Sequence, residues 1–312
     1  MLREEAAQST AERPRPFGAR RERGLLETAR AYLSLTKPRI ISLLLITTVP
    51  AMILAEGGMP SPWLVLLTLL GGSLAAGGAN SINSYLDRDI DSLMWRTRGR
   101  PVPAGVLKPE RALLFGAVLG AVGFAVLAVG ATLLSALLAM GALAFYVFIY
   151  TLWLKRSSPQ NIVIGGAAGA MPPLVGWAAV TGSLAWEPLV LFAIIFLWTP
   201  PHFWALALRY RADYARAALP MLPVVRGEAE TRRQVLMYSV LLVALTLLLV
   251  PVAGMGPIYL AAATALGAGF VGLAFRLWRE GTPRASRALF AYSVFYLALL
   301  YVALGVDGLV AQ

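Results

Sequence analysis

Residues 63–91 read WLVLLTLLGGSLAAGGANSINSYLDRDID. Up to Leu86 the stretch carries no charge and is largely apolar; then Asp87, Asp89 and Asp91 follow within five residues. About 20 mostly apolar residues are what an α-helix needs to cross ~30 Å of hydrocarbon. The stretch therefore reads as a membrane span that ends on carboxylates.

The rest of the chain agrees with that reading. Of its 312 residues, 58% are hydrophobic and 14% are charged. Disorder needs low hydrophobicity and is excluded. A water-facing surface wants roughly 25–35% charged residues, so a single large soluble domain is disfavoured too. Eight further apolar stretches stand out, near 40–55, 112–129, 132–152, 162–181, 188–208, 234–253, 257–275 and 288–306. Together they predict an all-α integral membrane protein with nine transmembrane helices. The connections 1–39, 85–111, 153–161, 209–233 and 276–287 contain all 27 Lys and Arg, and the alternate connections contain none. Cytoplasmic loops carry the Lys/Arg excess. The N-terminus is thus expected in the cytoplasm, the C-terminus outside, and the cell (inner) membrane is the expected location. An even number of spans would break this segregation.

Residues 1–35 are basic and lack the apolar core of a secretory signal peptide. They are expected to form a disordered arm near anionic lipid, with 36–312 as one nine-helix domain. The net charge of +11 is then explained by the lipid bilayer rather than by nucleic acid. No cysteine is present, which excludes disulfides, zinc–thiolate sites and thiol nucleophiles. His202 is the single histidine, so a histidine-rich metal site is excluded as well.

Asn83, Asp87 and Asp91 are spaced i, i+4, i+8. In a helix each is offset by about 40° from the last, and all share one face. Asp89 points away. Two like charges one turn apart repel, and an ionised Asp at membrane depth costs a further ~2.5–3.5 kcal/mol on insertion scales. A bridging cation resolves both problems, and an all-oxygen donor set favours a hard ion, Mg²⁺ first. The plain alternative is that these acids are solvated beyond the membrane. Arg96, Arg98 and Arg100 follow at once, and Arg grips phosphate oxygens bidentately. Carboxylates beside an arginine cluster fit a polyanion held through Mg²⁺.

A second polar cluster closes the sixth stretch: Thr199-Pro200-Pro201-His202-Phe203-Trp204, then Arg209 and Asp213. The two prolines are expected to break the helix. Asp213 is either a site carboxylate facing the same cleft as Arg209, or a local ion-pair partner of Arg209 or Arg216. His202 is either a site residue or a satisfied polar group inside the bundle. Between these clusters lies a short loop with Lys155, Arg156 and Asn161, whose cations either set topology or bind anion.

These motifs resemble the UbiA superfamily of intramembrane prenyltransferases. Asn83-xxx-Asp87-xxx-Asp91, followed by Arg96-Thr97-x-x-Arg100-Pro101, is similar to its first aspartate-rich motif. The stretch Thr199–Ala207, with Arg209, Asp213-Tyr214 and Leu219-Pro220-Met221-Leu222-Pro223, resembles the branch that farnesylates haem. The likeness runs from Thr36 to the ninth span. It implies nine helices around a central cavity and transfer of a farnesyl group from farnesyl diphosphate to haem b. It further implies Asn83, Asp87, Asp91 and Asp213 as metal ligands for Mg²⁺. His202 joins those four as a catalytic candidate, and Arg96, Arg98, Arg100, Lys155, Arg156 and Arg209 are expected around the diphosphate or a haem propionate. A haem A synthase or terminal oxidase assembly is the implied recipient of the product. Where many superfamily members carry a second pair of aspartates, this chain has Arg209 and Asp213, which leaves a second metal open. Prenylation of a quinone precursor or chlorophyllide is the alternative within the superfamily. A membrane transporter is the alternative outside it.

Overall fold

The structure, a computed structural model, describes residues 24–310. Among the described residues every regular element is helical. The order is α1 (Leu25–Thr36), α2 (Pro38–Glu56), α3 (Pro62–Leu86), α4 (Arg88–Leu93), α5 (Pro109–Gly130) and α6 (Leu133–Ala144). A π-helical segment (Phe145–Leu154) carries α6 into the single turn α7 (Lys155–Ser157). Then come α8 (Asn161–Ala170), α9 (Pro172–Thr181), α10 (Trp186–Arg209), α11 (Arg211–Arg216) and α12 (Leu222–Val225). The chain ends with α13 (Gly227–Ala253), α14 (Pro257–Glu280) and α15 (Pro283–Val310).

Nine spans among the described residues are long and apolar enough to cross a membrane, in the order read from sequence. The protein is a multi-pass membrane protein. Several helices start on proline and several stop on glycine, for a physical reason. Pro38, Pro62, Pro109, Pro172 and Pro257 open their helices, where the missing N–H has no partner to lose. Gly57, Gly182, Gly254 and Gly281 take the left-handed conformation that closes one.

Three local expectations give way. Residues 1–23 of the expected disordered arm lie outside the described residues, but from Leu25 the chain is helical. Ala31 and Leu35 of α1 pack against Val102, Leu107 and Ala112, and this apolar contact orders the helix. Pro200 and Pro201 do not break α10, which runs through them with both rings buried. The fifth span, in contrast, is interrupted at Met171, just before Pro172-Pro173.

Close packing follows small residues, as expected where lipid offers no hydrophobic drive between helices. α3 and α5 meet through Gly71, Ala75 and Gly78 on one side and Gly116, Gly120 and Gly123 on the other. A Cβ on Gly78 would sit 2.7 Å from the Gly116 carbonyl oxygen and 2.9 Å from the Gly120 nitrogen. The span formed by α8 and α9 is the most enclosed of the nine. α10 packs against α8, α13 and α15, and α2 bridges α9 and α15.

At the end of the bundle away from the aspartates, Asp307 ties two helices together. Its buried carboxylate accepts from the backbone N–H of Gly256 (2.5 Å), Ile258 (3.1 Å) and Tyr259 (3.1 Å) at the start of α14. An anion there satisfies orphan donors and complements the helix dipole. Asp307→Ala is expected to cost about 1–3 kcal/mol by stranding those donors, read as a lower unfolding midpoint in detergent. Gly78→Leu is expected to cost a similar ~1–3 kcal/mol by forcing α3 and α5 apart.

Candidate functional site

The aspartate segment is not one unbroken helix. α3 stops at Leu86, Asp87 sits at φ −88° and ψ 4°, and α4 resumes at Arg88. The helical spacing nevertheless survives the break. The Asp87 N–H donates to the Asn83 carbonyl at 2.9 Å, and the Asp91 N–H donates to the Asp87 carbonyl at 2.7 Å. Asn83, Asp87 and Asp91 are all buried, at 2%, 0% and 2% exposure. This decides against acids merely solvated beyond the membrane. Asp89, on the opposite side, is exposed and held by both Nη atoms of Arg156 at 2.8 Å. That bond pushes its carboxyl down to about 2.

Around the buried acids stand four cations from three segments. Lys155 donates to Asp87 Oδ2, which also accepts from Asn83 Nδ2 at 2.7 Å. Arg100 donates to Asp91 Oδ2 at 2.7 Å. Arg156 reaches from Asp89 to within 4.0 Å of Asp87 Oδ1. Lys37, between α1 and α2, donates to Asn83 Oδ1 at 2.9 Å. Burial, then repulsion from Arg100 and Lys155, pulls the Lys37 ammonium down to about 7. Sequence reading gave Lys37 only a topological role. Its one signal was position, immediately before the proline that opens the first span.

The π-helical segment explains how Lys155 arrives at Asp87. At about 100° per residue, an α-helix would set Lys155 half a turn away from Tyr146, nine positions earlier. With i→i+5 bonding and about 4.4 residues per turn, nine residues come to about two full turns. Tyr146, Tyr150, Thr151 and Lys155 therefore turn toward the acids together. Tyr146 and Tyr150 stack with centroids 5.3 Å apart, within electrostatic reach of Asp87. Thr151 Oγ1 donates to the Tyr146 carbonyl at 2.8 Å and accepts from Asn83 Nδ2 at 3.1 Å. Nothing in the residue types of this stretch announces the π register.

The remaining candidates fall elsewhere. Asp213 is buried, but its partner is Arg216 rather than Arg209, because α10 ends at Arg209 and the chain turns at Tyr210. It also accepts the backbone N–H groups of Trp95 and Arg96. Burial raises its pKa, and these contacts outweigh burial to leave it below the usual range. Asp213 thus latches α11 to the loop that carries the arginines. Arg96 and Arg209 lie over the Tyr210 ring, at 5.5 Å and 5.6 Å from its centroid, and Arg98 is exposed. His202 is stacked between Trp198 and Phe290 and bonds Ser293 Oγ at 2.6 Å, against α15. It is a satisfied group inside the bundle and does not join the acids. Asn161 is fully buried with neither amide atom paired.

Among the described residues no three acidic or histidine side chains form a metal cluster. A hard divalent ion needs fewer, since Mg²⁺ takes one or two carboxylates and completes its shell with water and phosphate. Asp87 Oδ1 is buried and accepts no hydrogen bond, an expensive state for a carboxylate oxygen. That orphaned atom, beside Asn83 and Asp91, gives an oxygen donor set that fits such an ion.

Comparisons with known proteins bear on the family and the fold. The model of the family described as "UbiA prenyltransferase family" matches residues 44–300. A "Protoheme IX farnesyltransferase" of Gloeobacter violaceus is 58% identical over 89% of this chain and 92% of its own. A "Protoheme IX farnesyltransferase 1" of Saccharopolyspora erythraea is 54% identical over 98% of this chain and 97% of its own. Among solved structures, a digeranylgeranylglyceryl phosphate synthase superposes with a TM-score of 0.75 at 19% identity, covering 90% of this chain and 99% of its own. A UbiA homolog from Archaeoglobus fulgidus, bound to DMAPP and Mg²⁺, superposes with a TM-score of 0.67 at 19% identity, covering 90% and 100%. At that identity the two structures speak for the fold.

Lys155→Met is expected to strand the Asp87 carboxylate in the protein interior. Breaking a buried pair from one side costs about 3–5 kcal/mol. Thermal unfolding in detergent should show that loss, and the double variant Lys155→Met/Asp87→Asn should recover most of it.

Proposed function

The chain belongs to the UbiA prenyltransferase family, and from that membership we propose that it is a protohaem IX farnesyltransferase. It transfers a farnesyl group from farnesyl diphosphate to a vinyl group of haem b, with addition of water, and releases diphosphate and haem O. The substrate assignment rests on relatives of that name, at 54–58% identity over nearly their whole length. The observation that supports the site is the orphaned Oδ1 of Asp87 among buried Asn83, Asp91 and four cations.

Asp87 and Asp91, with Asn83, would hold Mg²⁺. When bound, that ion supplies charge neutralisation of the diphosphate oxygens as the leaving group departs. Lys155, Arg100, Arg156 and Lys37 bring positive charge to the same place, where a low dielectric makes it more effective than in water. Heterolysis of the substrate C1–O bond leaves the electron pair on diphosphate and an allylic cation on farnesyl. Tyr146 and Tyr150 turn toward the acids, where their ring faces stabilise a cation by about 0.5–2 kcal/mol each. The vinyl carbon adds to C1, and water captures the resulting cation with loss of a proton.

In the sequence all 27 Lys and Arg fall in alternate connections, a set that includes the aspartate segment. This charge bias supports an aspartate site that faces the cytoplasm and an N-terminus on that side. A haem A synthase or terminal oxidase assembly remains the proposed recipient of haem O.

Asp87→Ala and Asp91→Ala are each expected to lower haem O formation by about 100-fold or more, with normal membrane insertion. Mass spectrometry of the product from haem b and farnesyl diphosphate, with and without Mg²⁺, reads the outcome. Haem O at the normal rate in both variants would overturn the site.

A further inference from the structure

Resting on the metal-site reading above, we infer that Thr151 is a positioning residue that decides which end of the Asn83 amide faces a cation. An asparagine side chain has an oxygen end and an N–H₂ end that differ little in shape. Only the oxygen can ligate a metal, so one of the two orientations is unproductive. Something must choose between them, and the hydrogen bonds around Asn83 identify the selector.

The Thr151 hydroxyl has one proton. In the π register the Tyr146 carbonyl lies five residues back, and that proton is directed to it at 2.8 Å. What the hydroxyl offers to Asn83 is therefore only its lone pairs. An amide oxygen there would meet another acceptor, whereas the N–H₂ end makes a 3.1 Å bond. The same nitrogen donates its second proton to Asp87 Oδ2 at 2.7 Å. Both N–H donors are thus consumed, and Oδ1 is turned to where a positive charge sits. In this structure that charge is the Lys37 ammonium, at 2.9 Å. Thr151 is itself fully buried, so no solvent molecule substitutes for its hydroxyl.

The π-helical segment is part of the device. In an α-helical turn a Thr hydroxyl bonds the carbonyl three or four residues back, as Thr199, Thr246 and Thr264 do here. Among the helical threonines of the described residues, Thr151 alone donates to the carbonyl five back. That longer reach accompanies the turn that brings Thr151 over Asn83. Partners that orient a metal ligand without touching the ion typically change affinity by about 10–100-fold when removed.

The test uses purified full-length protein with Mn²⁺ as a spectroscopic probe and inorganic diphosphate, read by electron paramagnetic resonance without turnover. Wild type is expected to bind Mn²⁺, and Asp87→Asn to lose that binding. Thr151→Val, of the same shape without the hydroxyl, should weaken Mn²⁺ binding by about tenfold or more. Thr151→Ser should restore it. Thr151→Ala carries the same expectation as Val and serves if the Val variant is not monodisperse. In turnover, the loss should appear as a higher Mg²⁺ requirement, relieved at saturating Mg²⁺. Equal Mn²⁺ affinity in wild type and the folded Val or Ala variant overturns the inference. So does a Ser variant as weak as Val. Absence of Asp87-dependent Mn²⁺ binding in wild type overturns instead the metal-site reading beneath it.

Discussion

One carboxylate organises this protein. Asp87 is wholly enclosed at the end of a membrane helix, where an isolated anion is untenable. It survives because Lys155, delivered from another span, and the Asn83 amide both meet one of its oxygens. The other oxygen is left without a bond. The surrounding architecture follows from that requirement. α3 must end where Asp87 begins, the fourth span must change helical register to bring its lysine round, and the α1–α2 junction must approach closely enough for Lys37 to reach Asn83.

The site is built as a ring of opposed charges at one end of an apolar bundle. Arg100 answers Asp91, Arg156 answers Asp89, and Lys155 answers Asp87. Each acid is matched before any ligand arrives. The cations that neutralise the carboxylates at rest are also those expected to face the phosphates of a bound substrate. On the proposed reading, the same residues would serve stability in the free protein and leaving-group chemistry in the complex.

The nine spans and their order were legible from hydropathy alone, and the segregation of Lys and Arg fixed the count. The shared face of Asn83, Asp87 and Asp91 was legible because backbone bonds preserve the four-residue spacing across the break at Asp87. Asp213 and His202 were legible as candidates only, because where each side chain sits depends on contacts with other segments. The turn at Tyr210 separates Asp213 from Arg209, and Ser293, 91 residues away, satisfies His202. Pro200 and Pro201 misled because proline's local cost is overridden when neighbouring helices enclose the turn. The ordering of α1 left no local signal, since it arises from packing against residues far along the chain, and no residue type within Phe145–Leu154 announces the π register.

Lys37 illustrates a conflict between two demands on one position. It occupies the left-handed conformation, at φ 55° and ψ 62°, directly before the proline that opens α2. Glycine would accept that geometry freely, whereas a residue with a Cβ bears a strain of order 1 kcal/mol. Glycine, however, has no ammonium to offer Asn83. Putting glycine at this joint would relieve the strain and delete the charge beside Asn83, so the corner must stay bent the costly way.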